Sequence, residues 1–451
     1  MSARPRSRPG SHAPEAPSAR EAETGSDRDA ERARIRDGVW YCVKVFIGLR
    51  LGLFVLGLVA TALLPSHVAF PHSLPGPVSV PGWPAHEITP GAHNLFTAWE
   101  RFDALWFLRI ATTGYAAGDG SAAFFPLYPM AIRAVSFVIG GHPLAAGLLV
   151  SNAAFFGALV VLFFLTSSEL SPGAARKTVL YIAIFPTAFF FLAPYSESLF
   201  LLLSVGSFWA ARRRKWPLAG ALGALAAATR VFGLLLAPAL AMEAVHQWRE
   251  ARVARERRAL GDGDGTRTEA EATRLQRDAS PRTPAARLGW AGATALGLVA
   301  YLAYWQAAFG HFWTPLSIQD NWQRVAMEPW TTLLQGTKDA LGYFGDYPLG
   351  YHQLDWLVAA PAIVLAVYAF LRFRPAYGFY TGASLLIPLS FVFAGRPLMS
   401  LPRLVLPLFP IFWGLALLAE RRRLPHELIV AVSAVGLGVM TLLFVAWLYV
   451  F

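Results

Sequence analysis

Apolar runs recur along this chain from Val39 to Val450, and short charged turns separate them. The first run is Val39 to Leu64, followed later by Leu144 to Leu165. Two shorter pairs follow, between Arg176 and Arg212 and between Lys215 and Arg249. The rest are Leu288 to Phe309, Tyr351 to Leu371, Ala376 to Ala394, Leu404 to Ala419 and Leu428 to Val450. Only helices and closed barrels satisfy their backbone groups in lipid, and apolar runs of this length read as helices. The pattern predicts an all-α polytopic membrane protein of about eleven spans.

Charge orients these runs. Arg32, Arg34 and Arg36 precede the first one, which places the N-terminus on the cytoplasmic side. The basic clusters Arg176-Lys177, Arg212 to Lys215, Arg249 to Arg287, Arg372 to Arg374 and Arg421 to Arg423 then fall on that side too. Phe124 to Gly141 is apolar as well, but if it spanned it would put Arg176 outside. It holds Pro126, Pro129 and Arg133, so we read it as a helix in the outer interface. The basic residues left outside are Arg101, Arg109, Arg133, Arg230, Arg324, Lys338, Arg396 and Arg403. Exceptions to the charge rule mark where an anion would bind.

The organisation expected is a disordered cytoplasmic tail over 1–37, a catalytic membrane module over 38–245, a charged cytoplasmic loop over 246–287 and a C-terminal membrane module over 288–451. The tail is rich in Arg, Pro, Ser, Ala and Glu and shows no signal-peptide pattern. The loop contains Gly261 to Gly265, reading GDGDG, but no EF-hand pattern follows, so it reads as a solvated linker.

Composition agrees. The chain is 55% hydrophobic with a mean hydropathy of +0.44. Its net charge of +11 would suggest nucleic acid in a soluble protein. Here the basic residues sit in turns between spans, and no nucleic-acid motif appears, so nucleic acid is set aside. The single cysteine, Cys42, excludes an intrachain disulfide and a cysteine metal site. His93, His311 and His352 show no ligand spacing, and no cofactor is expected.

The chemistry concentrates on the outer side. Trp99 to Tyr115 reads WERFDALWFLRIATTGY and holds an acid, Asp103, among Phe102, Trp106 and Phe107. A carboxylate kept in such a place is expensive to bury and is usually functional. Phe124 to Pro129 reads FFPLYP with Tyr128, Pro186 to Phe200 reads PTAFFFLAPYSESLF with Tyr195 and Glu197, and Leu225 to Leu236 carries Arg230. A further turn, Arg396 to Pro410, carries Arg396 and Arg403.

Together these stretches resemble the PIG-V family of mannosyltransferases and the wider GT-C glycosyltransferase fold, and the alanine- and arginine-rich composition looks bacterial. The resemblance covers Trp99 to Pro238 and the Arg396 turn. It implies a hexosyltransferase that takes mannose from polyprenyl-phosphate mannose on the outer face of the plasma membrane, with an acidic residue of the first outer loop as general base. Asp103 matches that position. Inverting transfer needs one carboxylate to take the acceptor hydroxyl proton and positive charge to hold the departing phosphate. Arg230 and Arg403 are the candidates for the phosphate, with Arg396 behind them, because a guanidinium pairs with phosphate oxygens bidentately. Glu197, Tyr195, Trp106 and Tyr128 complete the candidate substrate-binding set.

Rival readings stay open at this point. Asp103 could pair with Arg101 or Arg109, Glu197 could cap its helix, and Arg230 could merely snorkel. The acceptor could be a lipoglycan, a glycan or a protein. A transporter or flippase of lipid-linked sugars is the alternative, although no repeat relates the two halves.

Overall fold

The computed structural model describes residues 19–63, 94–259, 282–318, 322, 324–342, 350–393 and 395–448. His93, Gly261 to Gly265 and most of the first outer loop lie outside them. The fold is all-α apart from one small sheet. Helix α1 runs Ala19–Leu63, and α2, Asp103–Thr113, carries that acid at its first turn. Helices α3 (Leu127–Val138), α4 (Pro143–Glu169), α5 (Pro172–Ala183), α6 (Glu197–Arg212), α7 (Trp216–Ala227) and α8 (Leu236–Ala259) follow. The second part holds α9 (Arg282–Gly292), α10 (Leu296–Phe309), α11 (Pro329–Gly342), α12 (Tyr351–Arg372), α13 (Pro375–Ser390), α14 (Phe409–Glu420) and α15 (His426–Val445).

Every expected apolar run is matched by helix. Among the described residues six segments are long and apolar enough to cross a membrane: Asp29–Leu63, Pro143–Glu169, Val231–Arg257, Pro284–Phe309, Tyr351–Arg372 and His426–Val445. Helices α5, α7 and α14 are only 12 residues each, and α6 and α13 are 16. At 1.5 Å per residue, 12 residues reach about 18 Å, short of a full bilayer core. The stretch read as an interfacial helix folds as α3, also 12 residues, with Met130, Phe137 and Val138 exposed on it.

One expectation is corrected at the N-terminus. Composition predicts a disordered tail to residue 37, whereas helix begins at Ala19 and continues unbroken into the first span. Alanine, glutamate and arginine are strong helix formers, and the apolar run downstream supplies the costly nucleus from which helix propagates.

Local chemistry sets the boundaries. Ser171 caps α5, its hydroxyl accepting from the Ala174 amide at 2.9 Å, with Pro172 at the first helical position. Helix α7 packs through small residues. A Cβ on Gly233 would lie 2.2 Å from the Ala227 amide nitrogen, and one on Gly297 would lie 1.9 Å from the Ala224 carbonyl oxygen. Only glycine allows the backbone after Arg230 and the start of α10 to lie against α7 this closely.

On the side of Asp103, the loop after α10 is tied to the turn after α13. Strand β1 (Arg324–Ala326) pairs antiparallel with β2 (Phe391–Phe393), Val325 opposite Val392. Arg324 Nη2 also donates to Ser400 Oγ at 3.1 Å. That turn leads directly into the single helical turn Leu401–Leu404, which carries Arg403.

Candidate active site

Four charged side chains from four segments form an alternating chain. Asp103 comes from the start of α2, Glu197 from the start of α6, Arg230 from the turn after α7 and Arg403 from the single turn before α14. Arg403 Nη1 donates to Asp103 Oδ2 at 2.5 Å, and Arg403 Nε donates to Glu197 Oε1. Arg230 Nη1 donates to the same Glu197 oxygen at 2.5 Å and to Ser196 Oγ at 3.3 Å. The order is acid, base, acid, base, and neighbouring charges cancel.

Burial grades along the chain. The Glu197 side chain is 0% exposed, Arg403 9%, Arg230 13% and Asp103 18%. Glu197 is therefore the sealed centre, and the outer carboxylate is the one that reaches solvent. Glu197 Oε2 is buried with no hydrogen-bond partner among the described residues. Burial works against the Arg403 charge, and Glu197 and Asp103 more than offset it, holding its pKa above the ordinary guanidinium value.

Aromatic rings frame Arg403. Its guanidinium carbon lies 4.6 Å from the Tyr195 ring centroid and 5.1 Å from that of Phe190. Tyr195 is fixed in turn, its hydroxyl donating to the Arg101 carbonyl at 2.9 Å. Tyr128 stands one layer behind: its hydroxyl bonds Ser151 Oγ at 2.6 Å, and Ser151 Oγ donates to the Tyr195 carbonyl at 3.2 Å. Trp106 stacks on Phe124 and meets Trp322 edge-on. Both Trp106 and Tyr128 are 0% exposed, so they pack behind the charged side chains and, contrary to the substrate-binding role expected of them, offer no open surface to a ligand.

The rival pairings for Asp103 find other partners. Arg109 pairs with Asp119, which also caps the Gly120–Ala123 turn by accepting from the Ser121 amide at 2.8 Å. Arg101 donates to the backbone carbonyls of Val445 at 3.0 Å and Thr97 at 2.5 Å. Glu197 makes no side-chain cap, and its carboxylate organises Arg230 and Arg403. Glu100, beside Arg101, is 1% exposed, and burial raises its carboxyl to about 7 against the pull of Arg101.

Arg396 stands apart from this chain. It grips Asp355 as a bidentate fork, Nε to Oδ2 at 2.6 Å and Nη2 to Oδ1 at 2.8 Å, with both side chains 0–1% exposed. His352 shares that neighbourhood, and His311 is exposed elsewhere. Among the described residues no three His, Cys, Asp or Glu side chains gather as a metal site. The sequence reading passed over Asp355, although a lone acid in the apolar run YHQLDWLVAA is a signal of its own. It also passed over Phe190 and Trp322, which a single sequence shows only as ordinary core aromatics.

Comparison with solved structures finds ArnT from Cupriavidus metallidurans bound to undecaprenyl phosphate, at 13% identity and TM-score 0.44, covering 90% of this chain and 76% of that one. It also finds the Archaeoglobus fulgidus oligosaccharyltransferase in complex with zinc and sulfate, at 13% identity and TM-score 0.40, covering 88% of this chain. The same archaeal enzyme, AglB, with an inhibitory peptide and a dolichol-phosphate is similar at 12% identity and TM-score 0.40, covering 91% of this chain and 56% of that one. This chain spans 53% of the first oligosaccharyltransferase chain, about half its length. Comparison with curated proteins finds no match. Residues 41–260, which contain Asp103, Glu197 and Arg230, match the family model described as mannosyltransferase (PIG-V).

Proposed function

We propose that this protein is a membrane glycosyltransferase that moves mannose from polyprenyl-phosphate mannose to an acceptor hydroxyl on the outer face of the plasma membrane. The observation that carries the reading is the Asp103–Arg403–Glu197–Arg230 chain. It offers an acid at the solvent end and two guanidiniums anchored by a sealed carboxylate. The match of residues 41–260 to the mannosyltransferase (PIG-V) model supports a mannosyl donor. The outer-face placement rests on the charge of the turns.

The chemistry runs as one displacement. Asp103 takes the proton of the acceptor hydroxyl, the acceptor oxygen forms a bond to the anomeric carbon, and the bond from that carbon to the phosphate oxygen breaks. Polyprenyl phosphate leaves with the electron pair. Arg403 and Arg230 meet the growing charge on the phosphate, the role for which preorganised guanidiniums are suited. Arg403 holds both Asp103 and Glu197 in the resting site. A phosphate that draws its Nη1 away from Asp103 leaves the base free while Glu197 keeps the guanidinium in place. Donor binding would thereby switch the base on. The acceptor is a lipoglycan, a glycan or a protein.

The test is transfer of radiolabelled mannose from polyprenyl-phosphate mannose in membranes carrying the protein, beside Asp103→Asn. Label in a lipid, polymer or protein fraction with the unmodified protein alone is the expected result. Equal label with Asp103→Asn rejects Asp103 as the base. No label with either protein rejects the mannosyl donor, and other polyprenyl-phosphate sugars then come next.

A further inference from the structure

Helix α6 carries Glu197 at its first residue and Arg212 at its last. Its 16 residues separate the two ends by about 24 Å. At the Arg212 end lies a second ionic cluster. Arg212 binds Glu169, and its Nη1 reaches Glu243 at 2.8 Å. Arg374 reaches Glu250 at 3.0 Å and Glu243 at 3.6 Å.

A cavity of about 390 Å³ opens beside this cluster. Its walls come from the turn between α4 and α5, the turn between α12 and α13 and the last turns of α14. The inner wall is Glu169 and Arg374, already paired within the cluster. The remaining charges stand exposed at the mouth. Arg372 makes no ion pair among the described residues, and Glu420 holds only the Ser171 hydroxyl, accepting at 3.1 Å. Tyr377 contributes a buried hydroxyl with no hydrogen-bond partner among the described residues, 1% exposed as a residue. Trp413 packs against Tyr377 at 4.8 Å between ring centroids.

Such a lining selects its ligand by charge. Two carboxylates repel a purely anionic headgroup, and two guanidiniums repel a purely cationic one. A zwitterion satisfies both, with its phosphate on Arg372 and its ammonium on Glu420. The depth fits a lipid: the cavity lies where apolar helices end in basic turns, the level of headgroups in a membrane. We propose that this cavity binds the headgroup of a phospholipid that joins a phosphate to a primary ammonium, of the phosphatidylethanolamine type. The proposal is independent of the reaction assigned to Asp103.

The experiment is native mass spectrometry of the whole protein in detergent, titrated with phosphatidylethanolamine, phosphatidylglycerol and phosphatidylcholine. Retention of phosphatidylethanolamine over phosphatidylglycerol is expected, with a loss of about tenfold in Arg372→Ala and in Glu420→Gln, the worth of one charge-assisted contact. Both side chains are exposed, so the fold survives their replacement. Equal retention of the two lipids, or undiminished retention in both variants, overturns the proposal. Soluble glycerophosphoethanolamine separates the sources. Displacement of the lipid assigns recognition to the headgroup alone, and failure to displace it assigns recognition to the anchored lipid; both keep the site.

Discussion

Glu197→Gln tests the charge chain at its centre. Glu197 Oε1 accepts from both Arg403 and Arg230, and the side chain is 0% exposed. Removing one partner of a buried pair costs about 3–5 kcal/mol, because the other charge is left uncompensated. Here the loss is uneven. Arg403 keeps Asp103, whereas Arg230 keeps only the Ser196 hydroxyl at 3.3 Å and is 13% exposed. Partial solvent access and the surviving pair place the expected cost near the lower end, about 3 kcal/mol. Adding Arg230→Gln removes the stranded guanidinium and should return about 1–2 kcal/mol, a coupling typical of residues in contact. The assay is denaturant unfolding of the purified protein in detergent, run on the two single variants and the double. A double variant whose cost equals the sum of the singles would refute the reasoning. So would a Glu197→Gln cost under about 1 kcal/mol, the worth of a neutral contact.

Asp103→Asn removes one partner of an ion pair 18% and 9% exposed, and Arg403 keeps Glu197, so unfolding should shift by about 1–2 kcal/mol while mannosyl transfer falls by at least about a hundredfold; the ratio of the two readouts in one preparation checks this. Arg403→Lys supplies one point charge where a fork spans two carboxylates, and transfer should fall by about a hundredfold with the protein still folded. Glu100 carries a carboxyl raised from 4.5 to about 7, so the folded state holds more protons than the unfolded state between those values. Stability should therefore fall as pH rises from about 4.5 to about 7, by up to about 3 kcal/mol, and level off above. Glu100→Gln should flatten that slope in unfolding measured across pH. Gly233→Ala puts a Cβ against the Ala227 amide and shifts the segment that begins at Arg230. Transfer should drop about tenfold or more, the scale on which misplaced catalytic groups act, with little change in secondary structure by circular dichroism.

The helices were legible because lipid leaves the backbone so few choices. Apolar runs bounded by basic turns marked the longer ones, and Phe124 to Gly141, set apart by the parity of the turns, forms a helix of 12 residues. The residues proposed for the site stand out for a related reason. Asp103, Glu197, Arg230 and Arg403 are charges in places where charge is costly. Their connectivity was hidden, since Asp103 and Arg403 lie 300 positions apart and no local spacing joins them. Local spacing pointed instead to Arg101 and Arg109, each of which has another partner. Arg396 ranks behind Arg403 on the same turn by sequence, and tertiary packing is what separates their roles, through an acid inside α12. The helical start at Ala19 was missed because composition was weighed there above helix propensity.

Helix α6 makes the two faces of the protein rotationally dependent on each other. An α-helix advances about 100° per residue, so the azimuth of Glu197 fixes that of Arg212 as firmly as a shaft fixes two gears. One residue inserted in its middle would turn one cluster about a quarter-turn away from its partners while lengthening the helix by only about 1.5 Å. Four residues inserted would bring the phase back almost to its start at the cost of about 6 Å of length. Keeping both clusters in phase and at their present separation therefore requires constant length here, and its 16 residues set a spacing that the surrounding helices match.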